Sequence, residues 1–268
     1  MINRVIVFSD MDGTLLDHYT YSYQLSKPGI ALLKEKGYPL VLVSSKTFPE
    51  MRILHRELAL ADPFVFENGG GIAWISETGD KNDYTVQLRG MDTSTLEEYV
   101  PLLRSIIGGD IVLLKDMPVE AVVRITGLPE DKAALALKRR TSLPFITGKE
   151  LQLSQEDVEN ANSILAKENL MLTRGGRFYH FSSRNANKGD AVKEVAARMV
   201  VVLKDSKIKT AAIGDSMNDL PMLRVVDIPY LVRNQHGYDV QAGFPVTRTR
   251  DSGPAGFSEA VRKLCNTD

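Results

Sequence analysis

The feature of this sequence that most constrains its fold is an alternation of short, uninterrupted apolar runs with stretches of helical pattern. Residues 5–8, 40–43 and 64–66 are runs of branched and aromatic side chains, and helical patterns at 27–36 and 49–58 separate them. Apolar runs without polar alternation are typical of strands buried on both faces of a parallel sheet. The first part of the chain is therefore predicted to fold as strand, helix, strand, helix, strand.

The same alternation returns near the end of the chain. A helix is predicted at 188–203, followed by a strand at 210–213, a short helix near Leu220 and a strand at 230–232. Strands that alternate with helices favour a doubly wound parallel sheet, which binds ligands at the carboxyl ends of its strands. We expect these elements to complete the sheet that begins with residues 5–8.

Between the two halves lies a segment of about 100 residues, which is enough for a separate folded unit. Strands are predicted there at 84–88, 111–114, 144–147 and 178–181, and helices at 93–107, 129–139 and 154–168. The predicted fold class is therefore α/β, with a doubly wound parallel sheet formed by residues 1–81 and 184–268. Residues 82–183 are predicted to form an inserted α/β cap domain.

Charge and cysteine content exclude several function classes. The 33 basic and 34 acidic side chains nearly cancel, so the composition predicts no general attraction to nucleic acid or to an anionic membrane surface. No stretch approaches the roughly 20 apolar residues that span a bilayer. The single cysteine, Cys265, excludes a disulfide within the chain and favours a cytoplasmic location. We expect the partner to be a small molecule.

Four acidic residues follow two of the predicted strands. Asp10 and Asp12 belong to the segment Asp-Met-Asp-Gly-Thr, and Asp215 and Asp219 belong to Gly-Asp-Ser-Met-Asn-Asp after the strand at 210–213. Alone, each segment is also typical of an ordinary polar turn or helix cap. Together at one edge of the sheet, four carboxylates would repel one another unless a cation neutralised them. Oxygen ligands without histidine or cysteine favour Mg²⁺ over zinc, which predicts a magnesium site.

Two further segments supply groups that suit an anion. Lys188 stands at the start of a predicted helix, where its charge is slightly unfavourable for the helix dipole, although an exposed lysine is also common there. Residues 44–47, Ser-Ser-Lys-Thr, end the second strand, where a hydroxyl and a backbone amide can bind a phosphate oxygen. The sequence thus contains a candidate phosphate site at the same sheet edge.

These four segments, in this order along the chain, resemble the signature motifs of the haloacid dehalogenase superfamily of phosphatases. The resemblance implies that Asp10 is the nucleophile that attacks phosphorus, so that an aspartyl-phosphate intermediate forms. It implies that Asp12 protonates the leaving alkoxide and then deprotonates the water that hydrolyses the intermediate. Ser44 and Lys188 would hold the phosphoryl oxygens, and Asn218 would orient nearby groups.

The resemblance also implies how Mg²⁺ is held. Its ligands would be the carboxylate of Asp10, the backbone carbonyl of Asp12 and the carboxylate of Asp215. Asp219 would bind the metal through water or would position Lys188.

More specific segments resemble one branch of that superfamily. Residues 44–47, 67–71 and 175–180 resemble the hallmarks of mannosyl-3-phosphoglycerate phosphatases, which remove phosphate to make the compatible solute mannosylglycerate. The resemblance spans most of the chain and implies a substrate with a phosphate, a carboxylate and a sugar. The candidate substrate contacts are Ser44, Ser45, Lys46, Asn68, Gly69, Arg177, His180 and Asn218. Arg177 and His180 are three residues apart, so in a regular strand they would point to opposite faces.

Three other activities are compatible with the same motifs. A phosphatase for glucosyl-3-phosphoglycerate or for another sugar phosphate would use the same chemistry. A sugar phosphomutase would pass the phosphoryl group to a second sugar hydroxyl instead of water. A non-catalytic regulator that binds sugar phosphates is disfavoured, because all the acidic residues and the lysine of the motifs are present. His18 and His236 match no motif and are predicted to be structural or exposed.

Overall fold

The computed structural model describes residues 4–76, 83–108, 110–148, 152–175, 177–204, 207–237 and 239–266. Two predicted features lie outside this part of the chain, namely the domain boundary at 81–82 and Gly176 of the segment 175–180. Among the described helices, none combines the length and the hydrophobicity that a membrane crossing needs.

The strands of the described residues form two separate sheets. Their bounds are β1 Val5–Ser9, β2 Leu40–Val43, β3 Phe64–Phe66, β4 Gly71–Ile75, β5 Tyr84–Leu88, β6 Ile111–Leu113, β7 Ser142–Thr147, β8 Leu170–Arg174, β9 Tyr179–Ser183, β10 Lys209–Gly214, β11 Ile228–Arg233 and β12 Thr247–Ser252. The main sheet has the order β12-β11-β10-β1-β2-β3-β4-β5, and the second sheet has the order β6-β7-β9-β8. Strands β12 through β3 of the main sheet run parallel, whereas β4 and β5 are antiparallel additions at one edge.

Helices cover both faces of the main sheet. The helix bounds are α1 Lys27–Lys36, α2 Phe48–Glu57, α3 Thr93–Glu98, α4 Val100–Ile107, α5 Val119–Thr126, α6 Glu130–Ala136, α7 Gln155–Leu165, α8 Lys188–Leu203, α9 Leu220–Leu223 and α10 Gly253–Asn266. On one face, Val7 of β1 belongs to a buried cluster with Leu33 of α1 and Phe257 of α10. On the other face, Phe8 clusters with Val192 of α8. The apolar run of residues 5–8 in β1 agrees with its cover on both faces, and the predicted doubly wound α/β fold is confirmed.

The inserted segment has its own antiparallel sheet and its own core. Phe145 of β7 and Phe181 of β9 are buried in a cluster with Leu103 of α4 and Leu165 of α7. A separate sheet with a separate apolar core is what a cap domain requires. The division into 1–81, 82–183 and 184–268 stays a prediction.

Two predictions for this segment are corrected. The strand at 84–88 does not join the cap sheet, because it pairs with β4 at the edge of the main sheet, so we propose that the cap begins after Leu88. The helix predicted at 93–107 is two helices, because Pro101 lies in the first turn of α4 and has no N–H to continue α3. Among the described helices and strands, five were not predicted from the sequence, namely β4, α5, β8, β12 and α10.

Candidate active site

Asp10 lies at the carboxyl end of β1, where the main sheet meets the cap. Its backbone N–H donates to the carbonyl oxygen of Ile213 at 2.9 Å, which ties the end of β1 to the end of β10. In the loop that follows, Gly13 has φ +87°, and a Cβ there would lie 2.7 Å from Oδ2 of Asp215. Glycine tolerates this backbone conformation and leaves room for the carboxylate. The two acidic loops therefore meet as the sequence predicts.

Three buried carboxylates cluster near one buried ammonium group, which bonds directly to two of them. Lys188 Nζ donates to Oδ1 of Asp10 and to Oδ1 of Asp219, each at 2.6 Å, and the lysine side chain is 1% exposed. One carboxylate oxygen each from Asp10, Asp215 and Asp219 lies within 4.8 Å of the other two. The structure thus brings three of the predicted acids and the predicted lysine into one cluster.

The crowding of negative charge shifts the pKa values of this cluster. Burial, reinforced by the carboxylate of Asp219, raises the pKa of Asp10 to about 7. Burial also raises the pKa of Asp215, and Asp219 and Asp10 add to the effect. Burial opposes the charge of Lys188, but the carboxylates of Asp10 and Asp219 outweigh it, so the pKa of Lys188 is raised. One ammonium among three carboxylates leaves excess negative charge, which fits a divalent cation.

Hydrogen bonds within the cluster separate candidate metal ligands from supporting residues. Both oxygens of Asp219 are occupied, because Oδ1 accepts from Lys188 and Oδ2 accepts from two backbone N–H groups of its own loop at 3.0 and 3.1 Å. Asp215 Oδ2 accepts from Asn234 Nδ2 at 2.8 Å, but among the described residues its Oδ1 accepts only a long hydrogen bond from Thr14 Oγ1 at 3.3 Å, so Asp215 is less fully bonded than Asp219. The carboxylates of Asp10 and Asp215 are therefore the best placed to hold a metal directly, and Asp219 is placed to position Lys188.

Asp12 is paired with a different cation. Its Oδ2 lies 2.8 Å from Lys46 Nζ, and its Oδ1 accepts no hydrogen bond from any part of the chain that the structure describes. Burial opposes the charge of Lys46, but the carboxylates of Asp12 and Glu50 outweigh it, so the pKa of Lys46 is raised. Asp12 also lines the main cavity. Asp12 therefore lies where its carboxyl group can exchange a proton with a ligand bound in the cavity.

A cavity of about 410 Å³ lies between the main sheet and the cap. From the core it is lined by Asp10, Asp12 and Asp215, among others. Its cap lining includes Arg139, Arg174, Arg177, Phe178 and His180. This volume lies within the range of small-molecule sites, and the cavity places acids on one wall and guanidinium groups on the other.

Arg177 and His180 line the same cavity, although their spacing predicts opposite faces of a strand. Arg177 precedes β9, so strand alternation does not apply to it, and its Nη1 donates to Tyr21 Oη at 2.9 Å. His180 is 6% exposed, and its Nδ1 has no hydrogen-bond partner among the described residues. Burial, with the charges of Arg139 and Lys188, lowers the pKa of His180 to about 3. Its imidazole is therefore neutral at neutral pH.

The segment at the end of β2 lies partly in the cavity wall. Ser45, Lys46 and Asn218 line the cavity, as expected of substrate contacts. Ser44 is buried and does not appear in the lining, and its Oγ accepts from the backbone N–H of Lys46 at 3.2 Å. Ser44 thus supports the loop that carries Lys46, and its contact with a phosphoryl oxygen stays a prediction.

The glycine-rich loop after β3 lies next to the start of α8. Asn68 lines a smaller cavity of about 180 Å³ that also reaches Lys188. Gly69 lines neither cavity, and a Cβ there would clash with the backbone carbonyl of Asn187, which caps α8. The structure thus places Gly69 against the start of α8, outside the lining of the main cavity, and a contact of Gly69 with substrate stays a prediction.

Several lining residues could not be identified from motifs. His18 and His236, predicted to be structural or exposed, line the main cavity. Arg139 Nη1 donates to the carbonyl of Ser45 at 2.7 Å and so links the cap to the core, but no motif marks it. Asn234 follows the end of β11, and the rule that ligands bind at the carboxyl ends of parallel strands could have identified it.

Comparisons with known proteins agree with this architecture. The sequence model of the family described as haloacid dehalogenase-like hydrolase matches residues 7–118 and 127–243. A glucosyl-3-phosphoglycerate/mannosyl-3-phosphoglycerate phosphatase from Persephonella marina is 32% identical, over 98% of this chain and 97% of the relative. A protein of the same name from Methanococcoides burtonii is 34% identical, over 97% of this chain and 96% of the relative. The resemblance inferred from the motifs is confirmed.

Solved structures show the same fold at lower identity. The sucrose-phosphatase from Synechocystis, solved with sucrose and phosphate, has a TM-score of 0.64 and 15% identity, with 99% of each chain covered. A haloacid dehalogenase-like hydrolase from B. subtilis has a TM-score of 0.67 and 15% identity, covering 96% of this chain and 99% of the other. On the family match and the two full-length relatives, this chain belongs to the haloacid dehalogenase-like hydrolase family and is a phosphoric monoester hydrolase.

Proposed function

We propose that the protein is a Mg²⁺-dependent phosphatase that removes phosphate from mannosyl-3-phosphoglycerate through an aspartyl-phosphate intermediate on Asp10. The observation that carries this proposal is the cavity of about 410 Å³ between a buried acid–lysine cluster and a cap wall of guanidinium groups. Such a cavity suits a small ligand with a phosphate at one end and a second negative charge elsewhere.

The chain's own residues support the two chemical steps. An oxygen of Asp10 attacks phosphorus, and the bond from phosphorus to the substrate oxygen breaks, while Lys188 offsets the charge on the phosphoryl group. The unpaired oxygen of Asp12 donates a proton to the departing alkoxide. Asp12 then takes a proton from the water that attacks the phosphorus, which releases phosphate and regenerates Asp10.

The residues fit a magnesium ion. Carboxylates of Asp10 and Asp215, with the backbone carbonyl of Asp12, would hold it, and Asp219 would keep Lys188 in place. When bound, Mg²⁺ supplies positive charge against the phosphoryl oxygens. Asn234 and Thr14, which donate to Asp215 at 2.8 and 3.3 Å, orient that carboxylate toward the site.

The substrate assignment rests on the cap side of the cavity. Arg177 is available to a carboxylate, and the neutral imidazole of His180 suits a sugar hydroxyl. The two relatives are named for both the glucosyl and the mannosyl substrate, which favours glucosyl-3-phosphoglycerate as the second candidate. A phosphatase for other sugar phosphates and a sugar phosphomutase are the remaining alternatives.

A substrate panel tests the proposal. Phosphate release is measured with mannosyl-3-phosphoglycerate, glucosyl-3-phosphoglycerate, hexose 6-phosphates and p-nitrophenyl phosphate, with Mg²⁺ and with EDTA. We expect the two glycosyl-3-phosphoglycerates to have the highest kcat/KM and EDTA to abolish turnover of every substrate. Faster turnover of a hexose monophosphate would refute the substrate assignment and leave the chemistry standing. Turnover that depends on a sugar bisphosphate would instead identify a mutase.

A further inference from the structure

Tyr21 adopts an unusual backbone conformation at the edge of the cavity. Its φ is +57°, a region that a bulky side chain rarely occupies. The turn that carries it is fixed by Asp17, whose Oδ1 accepts from the backbone N–H of Thr20 at 2.8 Å and whose carbonyl accepts from the N–H of Tyr21 at 2.9 Å. A strained residue that the surrounding structure holds in place is a candidate for a functional role.

The hydroxyl group of Tyr21 joins the core to two separate parts of the cap. It donates to the carbonyl oxygen of Thr126, the last residue of α5, at 3.2 Å. It accepts from Nη1 of Arg177, in the turn before β9, at 2.9 Å. Both contacts exist only while the cap lies over the cavity, because the core contributes just the tyrosine.

The ring of Tyr21 contacts the other side of the site. Lys46 Nζ lies 5.1 Å from the ring centroid, within the range of a cation–π interaction. The same Nζ lies 2.8 Å from Asp12 Oδ2. One side chain therefore contacts the cap through its hydroxyl group and the partner of Asp12 through its ring.

We propose that Tyr21 is a positioning residue that couples closure of the cap to the placement of Asp12 and Arg177. This rests on the proposed function, in which Asp12 is the proton donor and Arg177 contacts the substrate. Closure places Arg177 against the Tyr21 hydroxyl group, and the ordered ring holds Lys46 on Asp12. Proton donation to a sugar alkoxide is then available chiefly in the closed state, where bulk water is excluded.

Hydrogen exchange tests whether the Tyr21 hydroxyl group holds the cap in place, and it does so without any need for turnover. Tyr21→Phe removes the hydroxyl group but keeps the ring, and Tyr19→Phe removes a neighbouring hydroxyl whose contact, to His236 at 3.2 Å, stays within the core. We expect Tyr21→Phe to speed deuterium uptake in residues 119–126, and Tyr19→Phe to leave that uptake at the wild-type rate. Equal uptake in all three proteins would overturn the proposal, whatever the substrate proves to be.

Steady-state kinetics test whether Tyr21 affects substrate binding through Arg177 and proton donation through Lys46 and Asp12. With the best substrate of the panel, Tyr21→Phe should lower kcat/KM about tenfold, mainly through KM, because Arg177 loses its anchor. Tyr21→Leu, which also removes the ring, should in addition lower kcat, because Lys46 loses its cation–π partner. With p-nitrophenyl phosphate, whose leaving group needs little protonation, both variants should stay within about threefold of wild type. Equal losses on both substrates would reduce Tyr21 to a structural residue.

A double-mutant cycle separates this coupling from general loosening of the cap. In an Arg177→Ala background, Tyr21→Phe should cost less than about threefold, because the partner of the hydroxyl is already absent. Fully additive effects would overturn the proposed link between the two residues. If the substrate panel instead finds no phosphatase activity, the proposed function fails, and the exchange experiment still decides whether Tyr21 holds the cap.

Discussion

The two sides of the cavity differ in how completely their polar groups are bonded. On the core side, Lys188 and Asp219 are buried and hydrogen-bonded to one another at 2.6 Å. On the cap side, Arg177 is exposed with one hydrogen bond to Tyr21, and Nδ1 of His180 has no partner among the residues that the structure describes. The acid–lysine cluster of the core side is therefore organised before a substrate binds, whereas the cap side, like Asp12 at the edge of the core side, has polar groups without a partner among the described residues.

This difference has a physical reason. Groups that stabilise charge developing on phosphorus act best when they are already fixed, because they then need no reorganisation during the reaction. Groups that recognise the rest of the substrate must open to admit it, so part of their bonding is left to the ligand. We therefore expect changes on the core side to affect every phosphate ester, and changes on the cap side to depend on the substrate.

The largest effect should follow from replacing the nucleophile. Asp10→Asn should lower kcat by more than about 10³-fold for mannosyl-3-phosphoglycerate and for p-nitrophenyl phosphate alike, since an amide is a poor nucleophile and a weak metal ligand. Phosphate release is measured for both substrates. Thermal unfolding serves as the control for the fold. Retention of more than a few percent of activity, with deamidation excluded by mass spectrometry, would contradict the role of Asp10.

Replacing the proton donor should discriminate between leaving groups. Asp12→Asn should lower kcat about 10²- to 10³-fold for the sugar substrate, because its alkoxide needs a proton, and less than about tenfold for p-nitrophenyl phosphate. The measurement is kcat for each substrate at saturating concentration. The variant leaves Lys46 without its carboxylate partner, so its unfolding temperature is recorded alongside. Equal losses on the two substrates would argue against Asp12 as the acid.

A change on the cap side should impair turnover of the sugar substrate and spare turnover of the small aryl phosphate. Arg177→Ala should lower kcat/KM for mannosyl-3-phosphoglycerate about thirtyfold, because it removes a charge-assisted hydrogen bond worth about 2 kcal/mol. The same variant should change kcat/KM for p-nitrophenyl phosphate much less. Arg104→Ala is the matched control, since Arg104 is an exposed arginine of the cap outside the cavity lining. If both substrates lose equally, Arg177 contributes to the structure of the site and not to recognition of the glycerate.

The same contrast explains what the sequence could predict. The residues of the core cluster follow parallel strands or begin a helix, and the topology of a doubly wound sheet brings those positions to one edge. The acids Asp10, Asp215 and Asp219 could therefore be placed together from the order of strands and helices, whereas Lys188 was added by the resemblance of its segment to the family motif. The short, uninterrupted apolar runs that mark β1, β2 and β3 could be read equally directly, because these strands are buried on both faces.

The sequence predicted an inserted cap, but not which sheet the strand at 84–88 joins or how the cap docks on the core. Strand β5, Tyr84–Leu88, is only half buried, and its sequence does not indicate which sheet it joins. Its partner β4 begins at Gly71, the last residue of a glycine-rich segment that is typical of a turn. Arg139 reaches the cavity because it lies just after α6, and its contact with Ser45 depends on how the cap docks. How the cap docks on the core depends on surfaces that exist only after folding, and patterns in a single sequence describe only local structure.

A smaller effect should show which of the two ring nitrogen atoms of His180 contacts the substrate. Asparagine can place its amide near the position of Nδ1, whereas glutamine reaches the position of Nε2. If the unpaired Nδ1 binds a sugar hydroxyl, His180→Gln should raise KM for mannosyl-3-phosphoglycerate about fivefold, and His180→Asn should stay within about twofold of wild type. KM for p-nitrophenyl phosphate should be unchanged in both. A larger loss in the asparagine variant would assign the contact to Nε2.

The last prediction concerns the stability of the folded protein at acid pH, which the buried neutral His180 should lower even without substrate. Burial, with Arg139 and Lys188, lowers the pKa of His180 from 6.5 to about 3 in the folded protein. As pH falls below about 6.5, the unfolded chain binds a proton at this histidine and the folded chain does not, so stability is lost from about pH 6.5 downward.

Between about pH 6.5 and pH 4.5 this linkage should remove about 2 kcal/mol from the free energy of unfolding of the wild type. His180→Asn has no group that titrates in this range, so its stability should fall less over the same interval. The other acid-sensitive groups, including His55 with its lowered pKa, contribute equally to both proteins and cancel in the difference. Urea unfolding at each pH gives the comparison. Parallel pH dependences would mean that His180 gains its proton in the folded state, and would remove the argument that it meets the substrate as a neutral hydrogen-bonding group.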